Sequence, residues 1–303
     1  MPDSPKGPSG YLLLDKSPGQ TSFQALGPVK KALATGKLGH TGTLDKFASG
    51  LLVVLAGKAL RLSPWVSHCG KAYRGTILFG EETDTLDPEG RIVARAPVPS
   101  RDQVEEALPK FRGDILQAPP AYSAIHLEGR RASERVRAGE SPVMRERPVS
   151  IYELRLTAWT PPLAEILVRC SGGAYIRSLA RDIALACGSR AHVRELRRGA
   201  VAGFSVEDAL PPEDPRIPAA LRPIDRAFFE ALGIPRFESG EALLAPLSQG
   251  RPLGPLLAGL ELKKAPGGPE PAAAAVFAGE QFAAVVKRAG RGVWTYGYVF
   301  AGH

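Results

Sequence analysis

Gly39-His40-Thr41-Gly42-Thr43-Leu44-Asp45-Lys46-Phe47-Ala48-Ser49-Gly50 runs directly into Leu51-Leu52-Val53-Val54-Leu55-Ala56. The first half reads as a turn-rich loop, because its three glycines permit tight turns and close approach of a ligand to the backbone. The second half, a short apolar run bounded by that loop, predicts a buried central strand. One carboxylate, Asp45, thus sits on a loop anchored to a rigid strand, where reactive side chains concentrate. The glycine spacing fits neither G-x-x-x-x-G-K-[ST] nor G-x-G-x-x-G, so a phosphate cradle is not supported. Taken alone, the loop favours a plain reading in which Asp45 caps a turn that the glycines shape.

Working outward, Tyr11 to Asp15 is a short apolar run that predicts a buried strand, and Ser17-Pro18-Gly19 breaks it. Thr21 or Ser22 can cap a helix predicted across Phe23 to Leu33. Lys71 to Phe79 alternates as a strand, 81–91 is an acidic turn region, and Asp102 to Leu108 suits a short helix. Ile151 to Ala158 and Ala164 to Cys170 predict paired strands, and Tyr175 to Cys187 a helix after Gly172-Gly173. From about residue 233 the chain changes to short β-like runs separated by Gly and Pro, ending in Trp294-Thr295-Tyr296-Gly297-Tyr298-Val299-Phe300. Pro255 to Ala275 contains a low-complexity Ala/Pro/Gly segment, read as a surface loop. The expected fold is α/β (α+β). A disordered tail (1–9) precedes a mainly antiparallel mixed sheet with helices (10–230), and a small β-rich domain follows (231–303).

Bulk properties narrow the function classes. A length of 303 residues suits about two domains, and 44% hydrophobic with 23% charged residues is ordinary globular composition. A net charge of +8 favours a polyanionic partner, nucleic acid first. Within 117–147, Arg130, Arg131, Arg135, Arg137, Arg145 and Arg147 are tempered by Glu128, Glu134, Glu140 and Glu146. Such a long basic connection is either functional or a salt-bridged, solvated helix. Arg190, Arg194, Arg197 and Arg198 form a second basic cluster that suits tracking a phosphate backbone. Cys69, Cys170 and Cys187 are odd in number and lack C-x-x-C spacing, which argues against a zinc site or a disulfide framework and for free thiols in a reducing cytoplasm. The N-terminus does not read as a signal peptide, and no run approaches the length of a membrane span. Glu81, Glu82, Asp84, Asp87 and Glu89 lack the calcium-loop pattern and read as a solvated turn. No serine stands in a G-x-S-x-G context, so a hydrolase triad is unsupported.

Five further segments complete the pattern: Gly10 to Gly19, Lys71-Ala72-Tyr73-Arg74, Gly80 to Asp87, Gly173-Ala174-Tyr175-Ile176-Arg177-Ser178-Leu179 and Leu196-Arg197-Arg198. Together with 39–50, and in this order, they resemble the TruB family of tRNA pseudouridine synthases over roughly residues 10–205. The loop resembles that family's signature, approximately G-H-T-G-x-L-D-P-x-A-x-G. Its catalytic aspartate falls on Asp45, and Lys46 stands where the family has a loop-stiffening proline.

The resemblance implies isomerisation of the T-loop uridine of tRNA (position 55 in tRNA numbering), with Asp45 as nucleophile. Attack at C1′ of the ribose and at C6 of the base both remain open. It implies that Arg177 pairs with Asp45, that Tyr73 stacks on the target base and handles a proton, and that Tyr175 and Leu196 line the base pocket. His40 stands near the site the flipped-out uridine vacates, or is a turn histidine with local hydrogen bonds. The 117–147 segment, with Arg130 and Arg131, becomes an RNA clamp, and Arg197 and Arg198 become RNA contacts. The C-terminal domain resembles a PUA-type RNA-binding module. No metal or cofactor is implied, since nothing enters or leaves the base overall, and the expected protein is a cytoplasmic monomer. Two other readings stay open: an RNA-binding or RNA-folding module without catalysis, and a synthase acting on another RNA.

Overall fold

The computed structural model describes residues 7–123, 125–127, 129–140, 142–264, 270–290 and 292–300. Among them, nine strands form one mixed sheet. In chain order these are β1 (Gly10–Lys16), β2 (Leu38–His40), β3 (Ser49–Ala56), β4 (Lys71–Phe79), β5 (Gly113–Gln117), β6 (Arg147–Thr160), β7 (Leu163–Cys170), β8 (Ala191–Val201) and β9 (Phe204–Ser205). The path across the sheet is β1-β3-β8-β4-β7-β6-β5, with β2 on β3 and β9 on β8. All pairings are antiparallel except β3 with β8, where Ser49 and Gly50 face Arg197 and Arg198.

The apolar runs explain which strands are central. In β1, Leu12 and Leu14 enter one core while Tyr11 and Leu13 enter a second. In β3, Leu52, Val54 and Ala56 join the first core and Leu51, Val53 and Leu55 the second. A strand covered on both faces needs a continuous apolar sequence, as these have. Strand β4 is covered on one face only. Tyr73, Ile77 and Phe79 are buried, while Arg74 points to solvent. The first core is closed by the helix Ile176–Ala186, whose Leu179, Ala180, Ile183 and Ala184 are buried.

A second sheet forms from β10 (Arg236–Ser239), β11 (Leu262–Lys263), β12 (Ala273–Ala278), β13 (Gln281–Gly290) and β14 (Val293–Val299), ordered β11-β10-β12-β13-β14. This is the small β-rich unit expected after residue 233. It packs on the far face of β1 and β3, where Phe277, Phe282 and Val285 join Tyr11, Leu51, Phe228 and Phe229 in the second core. The two sheets therefore share one apolar core. Phe229 is fully buried, with its ring 4.7 Å from that of Phe282 and 5.8 Å from that of Phe277. Phe229→Ala is expected to cost about 3–5 kcal/mol of stability. Fluorescence of Trp159 and Trp294 and far-UV dichroism should still follow one coincident transition, and separate transitions would show that the sheets unfold independently.

Several expectations change. The helix predicted from Phe23 covers only Leu26–Ala32, because Pro28 lacks an N–H and is tolerated only in a first turn. The stretch 39–50 is not all loop, since Leu38–His40 pairs with β3. The alanine-rich end of 255–275 is no surface loop. Ala274 and Ala275 are fully buried in β12, which is covered on both faces, and alanine marks such a run only weakly as apolar. The loop reading of 265–269, and the disorder expected for 1–6, lie outside the described residues.

Candidate active site

Asp45 lies where three segments meet. Its loop is pinned from behind by Ser22, whose hydroxyl accepts from the Leu44 N–H at 2.8 Å and donates to the Leu44 carbonyl at 3.0 Å. The Lys46 carbonyl accepts from the Gly19 N–H at 2.8 Å. The Asp45 side chain remains 35% exposed and is met by Arg177, which is buried. Arg177 Nη2 donates to Asp45 Oδ1 at 2.9 Å, and Nε lies 2.9 Å from Oδ2. The same guanidinium reaches three more acceptors. Nη1 donates to the Thr85 carbonyl at 2.7 Å and to Asp87 Oδ2 at 3.1 Å, and Nη2 donates to the Tyr122 carbonyl at 3.0 Å. A planar fork with this many fixed acceptors has one orientation, so it aims the carboxylate.

The helix bearing Arg177 begins without a side-chain cap from its own N-terminus. Instead Gln117 holds Tyr175 by both backbone groups, accepting from its N–H at 2.8 Å and donating to its carbonyl at 3.1 Å. Gln117 pairs with Arg147 across β5 and β6, so the basic segment between them leaves and re-enters the sheet at one place. Its first residues close over the site: the Ala118 carbonyl accepts from Ser178 and Arg181, and the Tyr122 carbonyl from Arg177.

Burial dominates the electrostatics. It pushes the Asp45 carboxyl above its ordinary value, opposed by Arg177 and reinforced by Asp87. Burial likewise raises the Tyr73 phenol, which therefore stays protonated at neutral pH. Tyr175 shifts upward through burial and then through the Asp45 charge. His40 is shifted downward by burial and by Arg198, which makes it a neutral imidazole at pH 7. Its Nδ1 is buried without a hydrogen-bond partner among the described residues.

The structure brings together Asp45, Arg177, Tyr73 and Tyr175, and it corrects Arg198. Arg198 is 2% exposed and donates to the Leu51 carbonyl at 2.7 Å and the Gly42 carbonyl at 2.9 Å. A guanidinium consumed by the interior cannot track a phosphate backbone. Arg198 instead braces both ends of the glycine loop from beneath, its backbone facing Tyr73 across β4 and β8. Arg197 does face outward, in a bidentate pair with Asp15 at 2.8 and 3.0 Å. Leu196 and Arg197 line a cavity of 690 Å³ with Phe47, Arg74 and Gly75, beside the Asp45 loop. Arg130 and Arg135 share Glu140, so the basic segment is partly salt-bridged, and the Arg131 side chain lies outside the described residues.

Two site residues were missed from the sequence. Asp87 is 4% exposed and fixed by the Thr85 hydroxyl at 2.6 Å and the Glu89 N–H at 3.1 Å, so it is not part of a solvated turn. The clue was a Thr-x-Asp in the acidic stretch that resembles the family's, although nothing local says which acid turns inward. Lys16 is completely buried, and burial lowers its pKa to about 8. Its ammonium donates to the Ser17 and Gln20 carbonyls at 2.9 and 2.8 Å, tying down the turn beside the Asp45 loop. Lys46 reaches Glu89 at 3.1 Å, with both side chains about half exposed, so the pair contributes at most about 1 kcal/mol.

A family profile described as "TruB family pseudouridylate synthase (N terminal domain)" matches residues 30–176. The protein named tRNA pseudouridine synthase B of Borreliella burgdorferi is 41% identical over 204 residues, covering 66% of this chain and 72% of that protein. The chain belongs to the TruB family. The namesake of Treponema denticola is 46% identical over 214 residues, and the match spans 64% of this chain and 60% of that relative's length. In Bordetella avium the namesake is 46% identical over 205 residues, with 66% and 84% covered. The fold is shared more widely across the whole chain. A TM-score of 0.70 at 22% identity relates it to a chain in an H/ACA RNP bound to a substrate RNA containing 2'-deoxyuridine, over 97% of this chain and 85% of that one. A chain of a Cbf5-Nop10-Gar1 complex gives 0.69 at 24% identity, over 97% and 84%.

Proposed function

We propose that this TruB-family member is a tRNA pseudouridine synthase that isomerises the T-loop uridine at position 55, with Asp45 as nucleophile. The observation that carries the reading is a partly exposed Asp45 carboxylate aimed by a buried arginine that a second carboxylate, Asp87, holds in turn. In the reaction the N1–C1′ bond breaks, the base turns within the site, C5 bonds to C1′, and the proton lost from C5 is balanced by one gained at N1. A carboxylate nucleophile can carry the fragment through that turn by bonding to C1′ or to C6. The protonated Tyr73 offers a ring for the base and a hydroxyl to donate. Neutral His40, with an unused ring nitrogen, suits a place where a base has been pulled from its stack. The basic 117–147 segment, Arg74 and Arg197 suit phosphate contacts, and the C-terminal unit suits a PUA-type role in holding RNA. Since no group is gained or lost overall, the proposed cycle runs on these side chains alone.

The test incubates wild-type protein with a T-stem-loop transcript and maps modified positions. Pseudouridine confined to the T-loop site is the expected result. Modification only of other RNAs would overturn the substrate, and no modification of any RNA would overturn the activity.

A further inference from the structure

From Lys16 to Leu44 the chain carries four lysines and no aspartate or glutamate. Lys16 is used inside the site, but Lys31 and Lys37 are exposed and Lys30 half-buried. Such a stretch, bounded by Asp15 and Asp45 but holding no acid within it, presents net positive charge.

In the middle stands Phe23, 69% exposed, with the Lys30 ammonium 4.7 Å over its ring. Burying a phenylalanine side chain is worth about 1.5–3 kcal/mol, and this one forgoes most of it. The surrounding turn is rigid. Thr21 N–H donates to Gln24 Oε1 at 2.8 Å, and Gln24 N–H donates to Thr21 Oγ1 at 3.1 Å. Ser22 points inward to grip Leu44, the residue before Asp45. With Ser22 fixed inward, its neighbour Phe23 is held outward, one residue away from the support of the nucleophile's loop. A rigid exposed ring beside two lysines that form no ion pair among the described residues is the composition of a stacking site for single-stranded nucleic acid.

We propose that Phe23, with Lys30 and Lys31, is a platform on which an unpaired base of the RNA substrate stacks while the lysines contact its phosphates. The platform flanks the nucleotide that enters the Asp45 site, and it rests on the reading of this protein as an RNA-modifying enzyme. Its occupant is loop RNA, because duplex offers no free base face and a protein or membrane surface offers no reason for the base-sized ring to be fixed beside the nucleophile.

The experiment measures affinity of the full chain for a T-stem-loop RNA, and for a fully paired duplex of the same length, at several salt concentrations. Phe23→Ala should weaken stem-loop binding about tenfold and leave duplex binding unchanged. Phe23→Trp should restore it, which a merely structural role would not permit. The loss should appear in KM rather than in the single-turnover rate at saturating enzyme. Lys30→Ala with Lys31→Ala should flatten the salt dependence, by roughly 0.7 for each phosphate no longer neutralised. Stem-loop affinity of Phe23→Ala within twofold of wild type, equal losses on stem-loop and duplex, or failure of tryptophan to restore binding would each overturn the platform. If wild-type protein binds the stem-loop without isomerising it, the catalytic reading fails while the affinity comparison still decides the platform.

Discussion

Asp45→Asn protein is expected to bind T-stem-loop RNA as wild type does and to form essentially no pseudouridine. The substitution keeps the shape of the side chain and an oxygen for Arg177, and Asp87, Thr85 and Tyr122 still hold that arginine. The pocket therefore stays assembled, while the amide cannot form the covalent bond to the sugar or base. Removing a nucleophile from an assembled site costs on the order of 10⁴-fold or more in turnover. The readout is release of tritium from C5 of labelled uridine in single-turnover reactions with saturating enzyme, alongside an affinity measurement on the same RNA. Tritium release within about tenfold of wild type would remove Asp45 from the nucleophile's role. Loss of RNA binding together with activity would instead make Asp45 a structural residue of the loop.

The sequence carried this site unevenly, for identifiable reasons. Strands β1, β3 and β4 were legible because their burial imposes a pattern on the chain itself, continuous in β3 and alternating in β4. Asp45 was legible through its glycine-bounded loop, although the loop alone suggested a turn cap. What stayed hidden was the inward or outward sense of polar residues. Arg197 and Arg198 are adjacent and chemically identical, yet β8 sends the first to solvent and the second into the interior, as strand alternation demands. The register that decides between them comes from pairing with β3 and β4, which are distant in the chain. Asp87 was obscured in the same way, as one acid among five whose partner lies 90 residues away. The alanine-rich strand β12 was misread because small apolar side chains look like low complexity until Leu247, Leu253 and Leu257 cover one face and the main sheet covers the other.

Removing Arg177 should do damage of two kinds that pH separates. Arg177→Met keeps the bulk of the side chain and leaves Asp45 and Asp87 facing each other without the cation between them. Breaking a buried ion pair from one side costs about 3–5 kcal/mol, so a large fall in melting temperature is expected at pH 7. The Asp45 carboxyl then has a folded-state pKa still further above its unfolded one, because burial and the Asp87 charge act without the cation that opposed them. A group raised in this way favours the fold while protonated. The deficit should therefore be smallest near the ordinary carboxylate pKa and grow as pH rises through the raised folded value.

Catalysis is expected to run the opposite way, because in the proposed cycle only an ionised Asp45 can act as nucleophile. Its pKa is already raised in the wild type, with Arg177 the main force pulling it down. Without the arginine the acid limb of the pH–rate profile should move to higher pH, and part of the activity lost at neutral pH should return under alkaline conditions. Asp87→Asn tests the other arm. Removing a charge that raises the Asp45 pKa should move the acid limb downward, while the loosened Arg177 lowers the maximal rate. Combining Arg177→Met with Asp87→Asn should recover much of the stability, since a single carboxylate is left without a rival, and should draw the acid limb back toward lower pH, while the maximal rate stays low because no arginine aims Asp45. Acid limbs that shift the same way in both single variants would mean that the arginine and the second aspartate act on Asp45 only through packing, and not through charge.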